Sequence, residues 1–335
     1  MYRQRHRNVP RLPASRPEIH LEDKWAEKEA GERFLHRISN DILLFTTDKN
    51  MKILCDADTI YCDGTFFAAP RLFHQIYTIQ AQFQGHMFPL VYGLLPDRKE
   101  TTYSAVFEYL HQLAETLTLH FSPPVVQLDF QLAAHNAVRS AFSPTTHLRG
   151  CFFHYCQCLW RRVQKENLVN NEEDNDVRRI VRRAAALPLC PLDKVDNIWL
   201  DCIADSFNDL KLRSFMDYVT ASWVEGNQFS PLVWNHFGYE GPRTNNHLEG
   251  SHHKLNQQAR KSHPNIFEVV GVFKREQSVS KVSCARLTTY PSAPQRKCRY
   301  RQIDSRLRSL SQDLRNQDID DMEYVDCVSE LLKLE

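Results

Sequence analysis

The sequence predicts an α/β fold, a mixed sheet flanked by helices with an all-α insertion. Three observations predict it. Residues 59–94 hold three strand-like runs joined by short links. Residues 101–153 alternate helical spacing with short buried-type strands. Residues 156–240 carry only helical spacing. A meander followed by alternating helices and strands builds a mixed sheet covered by helices.

Residues 1–50 read as a basic, Pro-punctuated arm and a packed preface containing Trp25, Phe34 and the run Ile42-Leu43-Leu44-Phe45. The texture changes at about residue 55. Thr59–Phe66 is rich in β-branched and aromatic residues, as strands are. Phe73–Phe83 and Met87–Leu94 supply the second and third strands, with Gly85-His86 at the turn. Val106, Phe107, Leu110, Leu113 and Leu117 place a helix over 101–116. Val125–Asp129 reads as a buried strand, Ala133–Phe142 as a short helix, and Leu148–Phe153 as a fifth strand. This first part of the core spans 55–155, and the helical insertion spans 156–240. Gly241-Pro242 breaks the chain, and 241–275 adds a helix that completes the core. Residues 276–335 read as a basic linker and one acidic helix at most.

With 335 residues, 42% of them hydrophobic, the chain can bury more than one core. The net charge of +1 means that an anionic partner must be met by local basic patches. Ten cysteines are too sparse for a disulfide scaffold, and no secretory leader is recognisable, so a reducing intracellular setting is expected. No apolar stretch reaches membrane-spanning length, which predicts no membrane partner. GxGxxG, GxxxxGK[ST] and HExxH are absent, so neither a nucleotide cofactor nor a zinc-protease site is predicted.

Three acidic phrases remain: Cys62-Asp63-Gly64-Thr65-Phe66, Leu128-Asp129-Phe130 and Thr244-Asn245-Asn246-His247-Leu248-Glu249-Gly250. Each carboxylate borders an apolar segment. Carboxylates converging from remote segments suit hard divalent cations, with waters and phosphate oxygens completing the shell. Each has a plainer reading as well. Asp63 before Gly64 can be a turn residue, Asp129 a helix cap, and Glu249 a partner of the helix dipole.

The block 55–260 resembles a Mutator-like element (MULE) transposase domain. Asp63–Ile79 follows that family's first-aspartate strand and hairpin, and Asp129-Phe130 its second-aspartate motif. Cys151-Phe152-Phe153-His154 follows its Cys-x-x-His element, and Arg243–Gly250 the segment carrying the final glutamate. Gln131 departs from the family's usual acidic residue, and Ser251 from its frequent aromatic.

The resemblance implies a ribonuclease H-like mixed five-stranded sheet, with the all-α insertion between the second Asp and the Glu. It implies a DDE-type DNA transposase acting on transposon ends and target DNA in the nucleus as a homo-oligomer. Asp63, Asp129 and Glu249 would be both catalytic and metal-binding, holding two Mg²⁺ (or Mn²⁺) ions. Two other activities share these motifs: a simple two-metal nuclease, and a domesticated DNA- or protein-binding protein that no longer cuts.

Cys151 and His154 keep three readings: ligands of a structural Zn²⁺, with Cys156, Cys158, His252 or His253 as added donors; a buried thiol beside a hydrogen-bonded histidine; or, for His154, a substrate contact. A strand through both residues would point them to opposite faces. Arg243, Lys254, Arg260 and Lys261 flank Glu249 and are candidate DNA contacts. Trp223 and Trp234 read as core rather than as base-stacking platforms.

Overall fold

The computed structural model describes residues 10–28, 31–168, 175–206, 210–226, 228–244, 246–292 and 298–332. Its strands are β1 (Leu35–Arg37), β2 (Leu43–Phe45), β3 (Thr59–Thr65), β4 (Gln75–Phe83), β5 (His86–Leu95), β6 (Val125–Leu128) and β7 (His147–Gly150). The helices in chain order are α1 (Asp48–Cys55), α2 (Glu100–Thr116), α3 (Leu132–Ala141), α4 (Phe152–Lys165), α5 (Asn175–Ala186), α6 (Val195–Ala204), α7 (Leu210–Val219), α8 (Pro231–Trp234), α9 (Asn246–Ala259), α10 (Ile266–Thr289), α11 (Cys298–Arg315) and α12 (Asp321–Leu331). The chain divides into two compact units, Met1–Leu148 with Asn246–Pro294, and Arg149–Asn245 with Gln295–Glu335.

The strands form one seven-stranded mixed sheet in the order β1-β2-β5-β4-β3-β6-β7. The α/β expectation holds, but seven strands replace the expected five. The two extra strands come from the segment read as a preface. Leu43, Leu44 and Phe45 are all buried because β2 pairs with β5 inside the sheet. The first three long strands form the expected antiparallel meander, and β6 lies parallel to β3. A parallel neighbour requires a crossover; α2 lies between β5 and β6 in the chain.

In the first unit both faces of the sheet are covered. Ile60, Cys62 and Ile79 point to the side where α1, α2 and α3 bury Leu54, Val106, Phe107, Leu110 and Val138. Ile76, Tyr92 and Phe45 point to the other side, into one cluster with Leu255 of α9 and Val269, Val270 and Phe273 of α10. The Phe273 ring stacks on Tyr92 at 4.5 Å. A capping box of Asn265 and Glu268 starts α10 and satisfies two of its free backbone N–H groups. Strand β3 is therefore central, with neighbours on both edges and buried residues on both faces.

The second unit is built from α4–α8, α11 and α12. Tyr155 of α4 packs between Trp223 at 4.6 Å and Trp234 at 5.5 Å, so both tryptophans are core residues, as expected. Arg183 of α5 is buried and forms a two-pronged pair with Asp326 of α12, at 2.6 and 2.7 Å, and a third bond to Asp205 at 2.7 Å. The acidic helix expected at the C-terminus is α12, and a further, basic helix, α11, precedes it. Helix α10 runs on to Thr289, and α11 buries Leu307, Leu310 and Leu314. Spacings of three and four residues put those leucines on one stripe, a pattern hidden by the surrounding arginines. Residues 293–297 of the expected linker lie outside the described residues.

Candidate active site

Asp63 sits within β3, not at a turn. Its partner across the ladder is Thr78 of β4, and Gly64 pairs with Tyr77. Glycine is required at 64 because a Cβ there would lie 2.5 Å from Gln75 Oε1. Gln75 cannot easily yield, since its Nε2 donates to Tyr103 Oη at 2.8 Å and to the Asp97 carbonyl at 3.1 Å. The Asp-Gly pair thus marks close packing in a strand.

Residues opposite one another share a face of the sheet. Asp63, Thr78 and Tyr92 are successive partners across β3, β4 and β5, so Asp63 faces the side covered by α9 and α10. Only 7% of Asp63 is exposed. Its Oδ1 accepts the Gly64 N–H at 2.9 Å.

Strand β6 pairs with β3 through Thr59↔Val125, Ile60↔Val126 and Tyr61↔Gln127. The paired register ends at Tyr61↔Gln127, and Asp129 follows one residue past β6; continued by two residues, the same register would bring Asp129 beside Asp63. Neighbouring strands lie about 4.8 Å apart. Asp129 Oδ1 accepts the Gln131 N–H at 3.2 Å, and its carbonyl is 2.7 Å from His135 Nε2. Burial holds that imidazole at a pKa of about 4, so it is neutral near pH 7. The Cys62 thiol is pushed up to about 12, chiefly by burial and further by the charges of Asp63 and Asp129.

Helix α9 approaches Asp63 through His252. Its Nε2 is 3.1 Å from Thr78 Oγ1, and its Nδ1 is 3.7 Å from Asp63 Oδ2, an ion-pair distance longer than a hydrogen bond. Ser251 Oγ lies 3.3 Å from Gln80 Oε1, one pleat along β4 from Thr78. Leu248, His252, Leu255 and Ala259 are all buried and form the helix stripe that seats α9. Glu249 occupies the α9 position one turn before His252; its side chain lies outside the described residues. Among the described residues, no group of three His, Cys, Asp or Glu side chains is arranged to hold a metal ion.

A polar network joins the residues that follow Asp129 to α2 and the loop before it. Gln131 Oε1 accepts from Tyr103 Oη at 2.9 Å and from Arg98 at 3.0 Å, and Gln131 Nε2 donates to the Arg98 carbonyl at 3.1 Å. The available signal was Gln131 itself, standing where an acidic residue was expected. His252, one of the added zinc donors considered from sequence, lies against Asp63 and Thr78.

Residues 59–158 match the family model of the MULE transposase domain. The matched segment begins with β3, includes Asp63, Asp129, Cys151 and His154, and ends before Glu249. No curated protein matches the chain.

The remaining candidates are dispersed. The strand expected over Leu148–Phe153 stops at Gly150, and Cys151 is the N-cap of α4. His154 therefore stands three residues on in the first helical turn, and the opposite-face geometry of a strand does not apply. Both residues belong to the second unit. Cys151 is fully buried. Arg243 is also in the second unit and is engaged by Asp304 at 2.8 Å and the Tyr239 carbonyl at 3.0 Å. Lys254 and Arg260 are exposed on α9 and just after it. Lys261 pairs with Glu268 at 3.0 Å. No described helix is long and apolar enough to cross a membrane.

Proposed function

We propose that this chain is a MULE-type DNA transposase, a metal-dependent polynucleotidyl transferase that nicks a DNA strand and then joins the freed 3′-hydroxyl to target DNA. The observation that supports this is the parallel pairing of β3, which carries Asp63, with β6, which ends one residue before Asp129, while His252 of α9 reaches Asp63. In this reading β3 to β7 form a ribonuclease H-like core in which the first and fourth strands are neighbours, and β1 and β2 extend its edge.

The donor chemistry fits divalent magnesium or manganese. Two carboxylates from adjacent strand ends repel one another unless a cation offsets their charge, and carboxylate oxygens are the donors such ions prefer. Asp63, Asp129 and, from α9, Glu249 would hold the ions. Bound there, the ions would neutralise phosphate charge and activate water or a 3′-hydroxyl.

The protein's own contribution is positioning. Gly64 N–H and Asp63 Oδ1 fix the first carboxylate within the rigid central strand. The Gln131 N–H fixes the second. His252, braced by Thr78, sets the distance between α9 and β3. Rigid placement of this kind lowers the barrier by removing reorganisation from the reacting step.

Asp63→Asn should abolish Mg²⁺-dependent nicking of supercoiled DNA while leaving DNA affinity close to wild type. Equal nicking by wild type, Asp63→Asn and Asp129→Asn would refute the assignment. A pre-nicked substrate with a free 3′-hydroxyl separates the related activities. Joining marks a transferase, cutting without joining marks a simple nuclease, and DNA binding without metal uptake marks a protein that no longer cuts.

A further inference from the structure

Phe66 and Phe67 directly follow β3 and are 42% and 47% exposed, unusual for large aromatics beside a packed strand. Their loop is firmly held. Ala68 and Ala69 are buried. The Ala69 N–H donates to the Phe66 carbonyl at 3.1 Å, and the His263 N–H donates to the Phe67 carbonyl at 2.9 Å. His263 Nδ1 lies 3.1 Å from the Ala69 carbonyl. The aromatic exposure therefore belongs to a fixed backbone.

Phe66 also has a guanidinium and an imidazole beside it. The Arg98 guanidinium lies 5.4 Å from its ring centroid, and the exposed His74 ring meets its edge at 5.5 Å. Arg98 donates to Gln131 at 3.0 Å, and Gln131 in turn donates its N–H to Asp129. One arginine thus spans from the aromatic three residues after Asp63 to the amide two residues after Asp129. An exposed ring beside a guanidinium makes a base-stacking and phosphate-binding pattern.

We infer that Phe66, His74 and Arg98 form a subsite for one unpaired nucleotide of the DNA strand next to the phosphate to be cut, with the base on the Phe66 ring and a phosphate on Arg98. The inference rests on the DNA-processing reading above. It requires that at least one base be unpaired near the cut, and it assigns Phe66 to holding that base.

The test is binding of the full chain, in EDTA, to a blunt DNA duplex and to the same duplex carrying a short 3′ oligothymidylate overhang with 2-aminopurine beside the junction. Anisotropy reports affinity, and 2-aminopurine quenching reports stacking. Phe66→Leu should weaken overhang binding about tenfold, the scale of losing one stacked base, and abolish quenching. It should leave blunt-duplex binding unchanged, while Phe66→Trp retains both signals. Arg98→Gln should weaken overhang binding and lessen its salt dependence. Equal behaviour of wild type and Phe66→Leu on the overhang would overturn the subsite, as would an equal loss on both substrates. Because the readout needs no cleavage, failure of the nicking assay with Phe66-dependent overhang binding would sink only the transposase reading. Nicking without Phe66-dependent binding would sink only the subsite.

Discussion

Asp129→Asn tests whether the two aspartates form a charge pair made for a cation. Neighbouring parallel strands are about 4.8 Å apart, so carboxylates on one face can lie about 5–6 Å apart. At an effective dielectric constant of about 20, two like charges at that distance repel by about 3 kcal/mol. Asp129 is only half-buried, and solvent and salt screen much of this, leaving about 1 kcal/mol. Asparagine keeps the oxygen that accepts the Gln131 N–H and removes the charge. In EDTA the variant should therefore be more stable than wild type by about 1 kcal/mol, or about 2–4 °C in Tm for a unit of this size. In excess Mg²⁺ the order should reverse, because wild type gains about 1.4 kcal/mol at an ion concentration ten times Kd and the variant gains little. Thermal unfolding of both proteins with and without Mg²⁺ measures all four values. A variant less stable than wild type in EDTA, or an equal Mg²⁺ response in both, would refute the reasoning.

Two further predictions concern the scaffold. Asp326→Asn removes the two-pronged partner of Arg183, whose side chain is 4% exposed, and leaves only Asp205. Breaking a buried pair costs about 3–5 kcal/mol, and the half-exposed carboxylate lowers this to about 2 kcal/mol, visible as a lower urea midpoint. Arg183→Met should cost less, because it leaves no buried charge behind, and the reverse ranking would contradict the account. His36 is buried against Tyr109, and desolvation lowers its pKa to about 4 from an unfolded value near 6.5. A depressed folded pKa contributes stability that is complete above pH 6.5 and lost as pH falls from 6.5 to 4. Urea unfolding at pH 7 and 4.5 should show wild type losing about 2–3 kcal/mol more than His36→Gln; parallel losses would rule His36 out as the titrating group.

The sheet's long strands were legible because β-branched and aromatic runs with turn residues between them are local signals. The start of β3 and the span of α2 depend on nothing remote. The extra strands β1 and β2 were not legible. Three residues give no period, and only pairing with β5 makes Leu43–Phe45 a strand. Cys151 was assigned to a strand because Cys-Phe-Phe-His reads as apolar and extended. The chain instead starts α4 there, and the buried positions Tyr155, Leu159 and Val163 follow helical spacing. At the candidate site, the apolar runs before Asp63 and Asp129 foretold their strands. Neighbouring first and fourth strands, which would set the two aspartates side by side, are an expectation from sequence, and β3 and β6 are neighbours; the reach of His252 depends on the packing of α9 on β4.

The Gln131 network gives the departure at that position a physical meaning. Its amide accepts from Tyr103 and Arg98 through one oxygen and donates to the Arg98 carbonyl through its nitrogen. A carboxylate could accept both bonds but could not donate the third. It would also add a negative charge two residues from Asp129. Arg98 would then be drawn into a salt bridge and away from the Phe66 ring that it now covers. A neutral residue at 131 leaves the guanidinium partly uncommitted, with one hydrogen bond to an amide and one face on an aromatic. That guanidinium is exposed to solvent, where the phosphate of the proposed unpaired nucleotide would meet it.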